Sequence, residues 1–393
     1  MVNVIEMRRL LEAAKRDKNP GRFFREMRTA LRKKELRPTD FPLRPLFEEF
    51  VDDGRELVRE FDPQRGGGID LQMLEASNAV STSDFANITG QIAYSAVLDA
   101  MEREPMVFSA MLRVIPTKFS GEKIAGIGEL GDQAATVQEG QPYPLAGVNE
   151  DWIETPVTTK RGFIVPVTKE AIFFDRIGMV LERCAAVGEF LALNKEKRCI
   201  DCIIDENSTV HRLKWKGTYY ATYQATTPWD NVTATNALVD WTDIDNANQT
   251  MRAIRDPSTN EFVIVTAKKL ICTPQLEATA LRIANATEVT VVSPGYATSG
   301  NPNETKGHNP VGGMFQVVSS ALLGDRLATD TDWFYGDPAK AFAYMENWPV
   351  TVVQAPANSE AEFSQDIVVR YKASERGAAA TLNPRYMSKS TVA

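Results

Sequence analysis

The stretch "GELGDQAATVQEGQPYPL", residues 128–145, decides how the chain is read. Five of its residues are glycine or proline, the rest are mostly small and polar, and Glu129, Asp132 and Glu139 are acidic. That composition favours turns and loops over a packed element. Both flanks are strand-like. "MVFSAMLRVIPTKFSGEKIAGIG" shifts toward a period of two. In "DWIETPVTTKRGFIVPVTKEAI", Thr155, Val157 and Thr159 alternate with Pro156, Thr158 and Lys160. The simplest geometry is a long hairpin with a polar tip. Tips of this length are uncommon unless they serve a purpose. A ribbon with no core beneath it leaves strand edges open and must find its packing surface elsewhere.

The bulk composition is that of a globular protein. Of 393 residues, 43% are hydrophobic and 24% charged, a size suited to two or three domains. No run approaches the roughly 20 apolar residues of a membrane helix. The opening "MVNVIEMRRLLEAAKRDK" lacks a secretory apolar run, so folding inside a cell is expected. The net charge of −8 is unevenly spread: residues 1–37 carry a net +7 and the remainder −15. A basic arm on an acidic body implies two faces with different neighbours.

Pattern divides the chain further. Residues 5–34 read as two helices separated at Asn19-Pro20-Gly21, and residues 37–69 as linker with a short helix near 48–60. Ser83 or Asp84 can cap a helix bearing Phe85, Ile88, Ile92, Ala96 and Leu98. Residues 175–206 form the clearest helix, with Ile177, Leu181, Cys184, Leu191, Cys199 and Ile203 near one face and a charged middle, "NKEKR", expected in solvent or at a contact. Short strands and loops fill 207–240. From about 240 to 337, helices and strands alternate: "DWTDIDNANQTMRAIRD" as a helix capped by Thr242 with Asp245 at its third position, "EFVIVTAKKLICTP" as a buried strand, then "PQLEATALRIANA", "EVTVVSPG", a polar run "YATSGNPNETKGHNPVGG", "MFQVVSS" and "DWFYGDP". The end returns to strands, with "DIVVRYKA" expected to pair at an edge or across a subunit and "ERGAAATLNPRY" as a turn plus a short strand.

Catalytic constellations are not apparent. His211 and His308 are the only histidines, and neither neighbours a nucleophile elbow. Phosphate-cradling glycine motifs are missing. The four cysteines include one CxxC, Cys199 and Cys202, without the second ligand pair that zinc needs. No enzyme activity, cofactor or metal is expected. The basic arm, through Arg8, Arg9, Lys15, Arg16, Arg25 and Arg28, with Arg22, Arg32, Lys33 and Lys34, fits either phosphate contact by counterion release or packing between helices seeded by Phe23 and Phe24.

The order of parts resembles the major capsid protein of tailed bacteriophages with the Hong Kong-type capsid fold, an α+β architecture. The resemblance runs from about residue 81 to the C-terminus. It is carried by "GELGDQAATVQEGQPYP" followed by "VTTKRGFIVPVTKEAIFFD", by "PSTNEFVIVTAKKLICTPQLEATALRI", and by "ASERGAAATLNPRYMSK". It implies a basic helical arm and linker (1–80), a lead into the peripheral domain (81–120), an extended loop (121–160), a peripheral domain with a spine helix (161–239), a compact α/β axial domain (240–332) and a return to the peripheral domain (333–393). The implied function is a virion shell protein. It would self-assemble into pentamers and hexamers of an icosahedral head around double-stranded DNA, in the host cytoplasm and without a membrane. Scaffold, portal and cement proteins are implied as further partners. Loop residues Glu129, Asp132, Glu139 and Tyr143 would contact a neighbour, with Arg183, Arg198, Arg370 and Arg376 as candidate partners. Some relatives join a loop lysine to a neighbour's asparagine; Lys123 or Lys160 with Asn383 are the candidates here. The long N-terminal segment departs from the simplest members; it is expected to be retained, which leaves its part in assembly open. Alternatives are an encapsulin-like nanocompartment shell enclosing an enzyme, which the basic arm disfavours, and a soluble hydrolase or oxidoreductase using "CIDC" or a carboxylate pair.

Overall fold

The structure, a computed structural model, describes residues 7, 11–12, 16, 20–33, 35–36, 43–50, 81–103, 106–127, 136–141, 151–168, 177–206, 213–257, 259–292, 304–354 and 367–392. The chain divides into two units. The first takes residues 1–106, 160–194 and 348–376; the second takes 107–159, 195–347 and 377–393.

In the first unit the helices Pro20–Arg32 and Leu43–Phe50 pack against the helix Ser81–Arg103. Phe23, Met27 and Leu31 recur at helical spacing and are buried with Leu46, Phe50, Ile88, Ile92 and Val97 in one apolar core. Arg25 and Arg28 stay exposed. Apolar residues are few in this arm, yet these ones all face inward. Val97 rather than Leu98 completes the stripe.

The helix Ile177–Ile204 begins in this unit. Its 28 residues span about 42 Å. It holds no proline, and the glycine in its interior has a reason: a Cβ on Gly188 would stand 2.3 Å from the Val97 carbonyl oxygen. Small size there lets two helix backbones approach closely. Strand Thr159–Thr168 lies at a sheet edge beside Ile367–Thr381, which also pairs with Phe342–Gln354. "DIVVRYKA" is therefore an interior strand, not the expected edge. It continues unbroken through "SERGAAAT" to Thr381, where the sequence predicts a turn. The small side chains of Ala373, Ala379 and Ala380 are buried along it.

The second unit centres on a five-stranded sheet ordered Gln316–Ser319, Lys269–Cys272, Trp333–Gly336, Met387–Ser390, Val232–Thr233. Strands 333–336 and 387–390 pair with each other in this sheet, and 333–336 also pairs with Lys269–Cys272. Gly336 enters this sheet at φ +155, with the Tyr386 carbonyl oxygen 2.1 Å from where a Cβ would be. Helix Trp241–Ala253 is capped by Asp240 with Asp243 closing the capping box, two residues before the expected pair. Asp245 instead accepts from Gln249 Nε2 at 2.7 Å. Helix Pro274–Asn285 carries its proline in the first turn. Part of the polar run expected as loop, Glu304–His308, forms a strand antiparallel to Glu288–Val292. Of "EFVIVTAKKLICTP", only Lys269–Cys272 is a ladder strand.

The second half of the long helix is buried on most sides, with Cys199, Ile200, Cys202 and Ile203 fully enclosed. "NKEKR" is not a solvated stretch. Glu196 is buried and accepts from the main-chain nitrogens of Phe108, at 2.6 Å, and Ser109, at 2.8 Å. It neutralises the open N-terminus of the short helix Val107–Met111.

Candidate assembly surfaces

The ribbon expected from the sequence has a root built from Lys123–Ala125 and Trp152–Glu154. They pair antiparallel in the register Lys123 with Glu154, Ile124 with Ile153, and Ala125 with Trp152. The hairpin reading holds, but the root is not without a core. Trp152–Glu154 also pairs with Leu213–Trp215, which pairs with Thr218–Tyr220. The inward row buries Ile127, Ile153 and Leu213 with Trp229, Ile254 and Val263. This corrects the expectation of a ribbon unsupported by its own chain: "HRLKWKGTYY" supplies two further strands, and its Trp and Leu give the root an apolar floor.

The outward row is polar and aromatic. Directly across four strands stand Lys123, Glu154, Lys214 and Tyr219. The Lys123 ammonium sits 3.9 Å from the Trp152 ring centroid and 3.8 Å from Glu154 Oε1. Lys214 pairs with Glu154 from the other side, and that hydrogen bond raises the Lys214 pKa. Trp215 Nε1 donates to Asp151 Oδ1. Just outside the root, Thr155 N donates to the Glu122 carbonyl at 2.9 Å and Glu122 N donates to Thr155 Oγ1 at 2.9 Å. Phe119 and Val157 remain exposed there.

Of the tip residues named from sequence, Glu139 is exposed in a turn closed by Gln141 N on the Gln138 carbonyl at 3.0 Å, with Gly140 at φ +85. Glu129, Asp132 and Tyr143 lie outside the described residues. Among the basic candidates, Arg183 is exposed on the long helix and Arg370 is half-buried. Arg376 places its guanidinium 5.6 Å from the Trp348 ring centroid. Arg198 is corrected: it is 9% exposed, donating Nη1 to Tyr344 Oη at 3.1 Å and to the Gly377 carbonyl at 3.4 Å. It braces the unit's interior and is not presented to a partner.

The cross-link candidates are also engaged. Lys123 is held by Trp152 and Glu154, and Asn383 Oδ1 accepts from Arg385 Nε at 3.0 Å and Arg385 N at 3.3 Å. Lys160 is exposed. Of the arm's basic residues, Arg16, Arg25 and Arg28 are exposed, Arg28 donating Nε to Gln91 Oε1 at 2.9 Å. Arg8, Arg9 and Lys15 lie outside the described residues.

All four cysteines are buried and outside any disulfide. Burial pushes the Cys184 thiol up to about 11 and Cys272 to about 12, and raises Cys202 still further from its ordinary range. Thiols so placed are structural rather than nucleophilic. Among the described residues no group of three or more His, Cys, Asp or Glu is arranged to hold a metal, and no helix is long and apolar enough to cross a membrane.

Sequence reasoning missed two ion pairs. Arg385 meets Asp256 at 2.8 Å in the interior. Arg326 forks onto both oxygens of half-buried Asp201, a hydrogen bond that raises the Arg326 pKa. Asp201 and Arg326 lie far apart in sequence, as do Asp256 and Arg385, and no local pattern marks either pair.

Residues 153–390 match the model of the phage capsid protein family. The chain belongs to that family, and it is a shell-forming capsid protein. No curated protein matches it by sequence. Similar solved structures include a virus-like particle from Pyrococcus furiosus, at 12% identity over 76% of this chain and 98% of that one, TM-score 0.41. The capsid of a native GTA particle has 11% identity over 73% and 90%, TM-score 0.43. A Mycobacterium phage Che8 structure has 16% identity over 73% and 91%, TM-score 0.40.

Proposed function

We propose that copies of this chain close into rings of five and six that build an icosahedral head around double-stranded DNA, each copy laying its ribbon tip on a neighbour. The observation that carries this is the ribbon root. It is held by its own four-stranded sheet and apolar floor, so both ends of the segment 128–150 join a supported base. A tip rich in glycine, proline and acid has little to bury on its parent, and a neighbour's surface supplies what the tip needs to pack on. Exposed Arg183 and the half-buried Arg370 and Arg376 are cationic partners for Glu129, Asp132 and Glu139. Each such pair is worth about 1 kcal/mol or less, but a closed shell repeats it at every interface.

The arm has two sides with different roles in this reading. Met27 and Leu31 pack inward, while Arg25 and Arg28 face solvent and meet DNA phosphates on the inner surface. Electron microscopy of the expressed full chain tests the proposal. Closed particles assembled from rings are expected; a chain that stays monomeric at high concentration contradicts it.

A further inference from the structure

The segment "FVIVT", residues 262–266, reads from sequence as a buried strand and is not one. It is extended, with sides alternating strictly: Val263 is buried and Val265 half-buried, while Phe262, Ile264 and Thr266 face out. Ile264, at 89% exposure, is the most exposed of the large hydrophobic residues described. Among the described residues, no main-chain partner meets the N–H or C=O groups of Ile264, Val265 or Thr266. The segment leads into Lys269–Cys272, which is paired on both sides. Among the described residues its 264–266 stretch is unpaired, and the segment precedes that central strand by two residues.

The strip is held in position. Val263 N donates to the Ile254 carbonyl at 3.1 Å, and Asp256 N to the Glu261 carbonyl at 2.8 Å. The Arg255 guanidinium lies 3.8 Å from the Phe262 ring centroid and donates to the Asn260 carbonyl at 2.9 Å, so the ring is fixed outward. The inner side, Val263 and Val265, packs in the same cluster as Ile127 and Ile153 of the ribbon root. The outer side is thus the reverse face of the layer from which the ribbon springs.

We propose that residues 262–266 are a subunit contact covered by a second copy of this chain, which adds main-chain hydrogen bonds to the free edge and buries Phe262 and Ile264. This rests on the shell reading. An uncharged, β-prone strip with an open edge is an association hazard in a free subunit. No charge or proline within the strip guards it. In a shell-forming chain every copy meets others at high local density, and the strip is backed by the same apolar cluster that supports the ribbon root.

The test uses two full-length variants beside wild type. I264D replaces an exposed apolar side chain, so the folded subunit and its melting temperature should be retained. Its threshold concentration for particle formation should rise about tenfold or more. I264C adds a thiol where the four native cysteines are all buried. Maleimide should label it in subunits and react about tenfold more slowly in particles. I264D particles at the wild-type threshold, or equal labelling of I264C in particles and subunits, overturn this inference alone; equal labelling means the strip faces a different partner or solvent. A wild-type chain that forms no particles overturns the shell reading itself and this inference with it.

Discussion

Arg385 and Asp256 form an ion pair that is closed to solvent on both sides: Nη1 and Oδ2 are 2.8 Å apart, with side-chain exposures of 1% and 0%. The same guanidinium donates to the Ile127 carbonyl and to Asn383 Oδ1. One side chain therefore ties the C-terminal turn, the loop at Asp256 and the ribbon root together. Removing one partner strands the other charge. R385M or D256N should lower stability by about 3–5 kcal/mol, read from urea midpoints. The R385M/D256L double variant should cost less than the two single changes added.

Gly188 sets the approach of two helices in the first unit. G188A puts a methyl 2.3 Å from the Val97 oxygen and 3.1 Å from Ala100 Cβ. Alanine's better helix propensity cannot offset that clash. Thermal unfolding should show a destabilisation of about 1–3 kcal/mol.

Alkaline pH should weaken the fold through the thiols. Burial raises Cys184 from 9.0 to about 11 and Cys272 from 9.0 to about 12. The unfolded chain therefore loses these protons first and the folded chain holds more, so stability falls as pH rises. The contribution is complete below 9.0 and declines through about 11 and 12. Denaturant midpoints against pH should drop across that window, and less steeply in C184A.

Deleting residues 128–145 should leave a folded subunit, since the root keeps its strands and its floor of Ile153, Leu213 and Trp229. Circular dichroism should be unchanged while particle yield collapses. Normal particles from the deletion would remove the tip from assembly.

Neutralising Arg8, Arg9, Arg25 and Arg28 should weaken DNA retention and flatten its dependence on salt by roughly one unit of slope for each phosphate that an arginine no longer neutralises. Filter binding across a salt series measures this. An unchanged slope assigns the arm to helix packing alone.

Much of the fold was legible because periodicity and turn chemistry are local. The helix at 177–204 announces itself by its apolar face, and the ribbon by glycine and proline between alternating flanks. What was illegible depends on partners distant in sequence. "NKEKR" looks solvated until Glu196 meets the nitrogens of Phe108 and Ser109. Arg198 looks available until Tyr344 is found beside it. "EFVIV" has the composition of a buried strand, yet among the described residues only Val263 and Val265 pack into an apolar cluster. The support under the ribbon root comes from Leu213 and Trp229, residues with no local tie to it.

The most direct measurement mixes isotopically light and heavy subunits before assembly and joins carboxylates to lysines with a zero-length cross-linker. Loop peptides bearing Glu129, Asp132 or Glu139 should appear in light–heavy pairs, which only contact between copies can produce. Loop cross-links confined to light–light and heavy–heavy pairs would mean the tip folds onto its own chain, and would contradict the account.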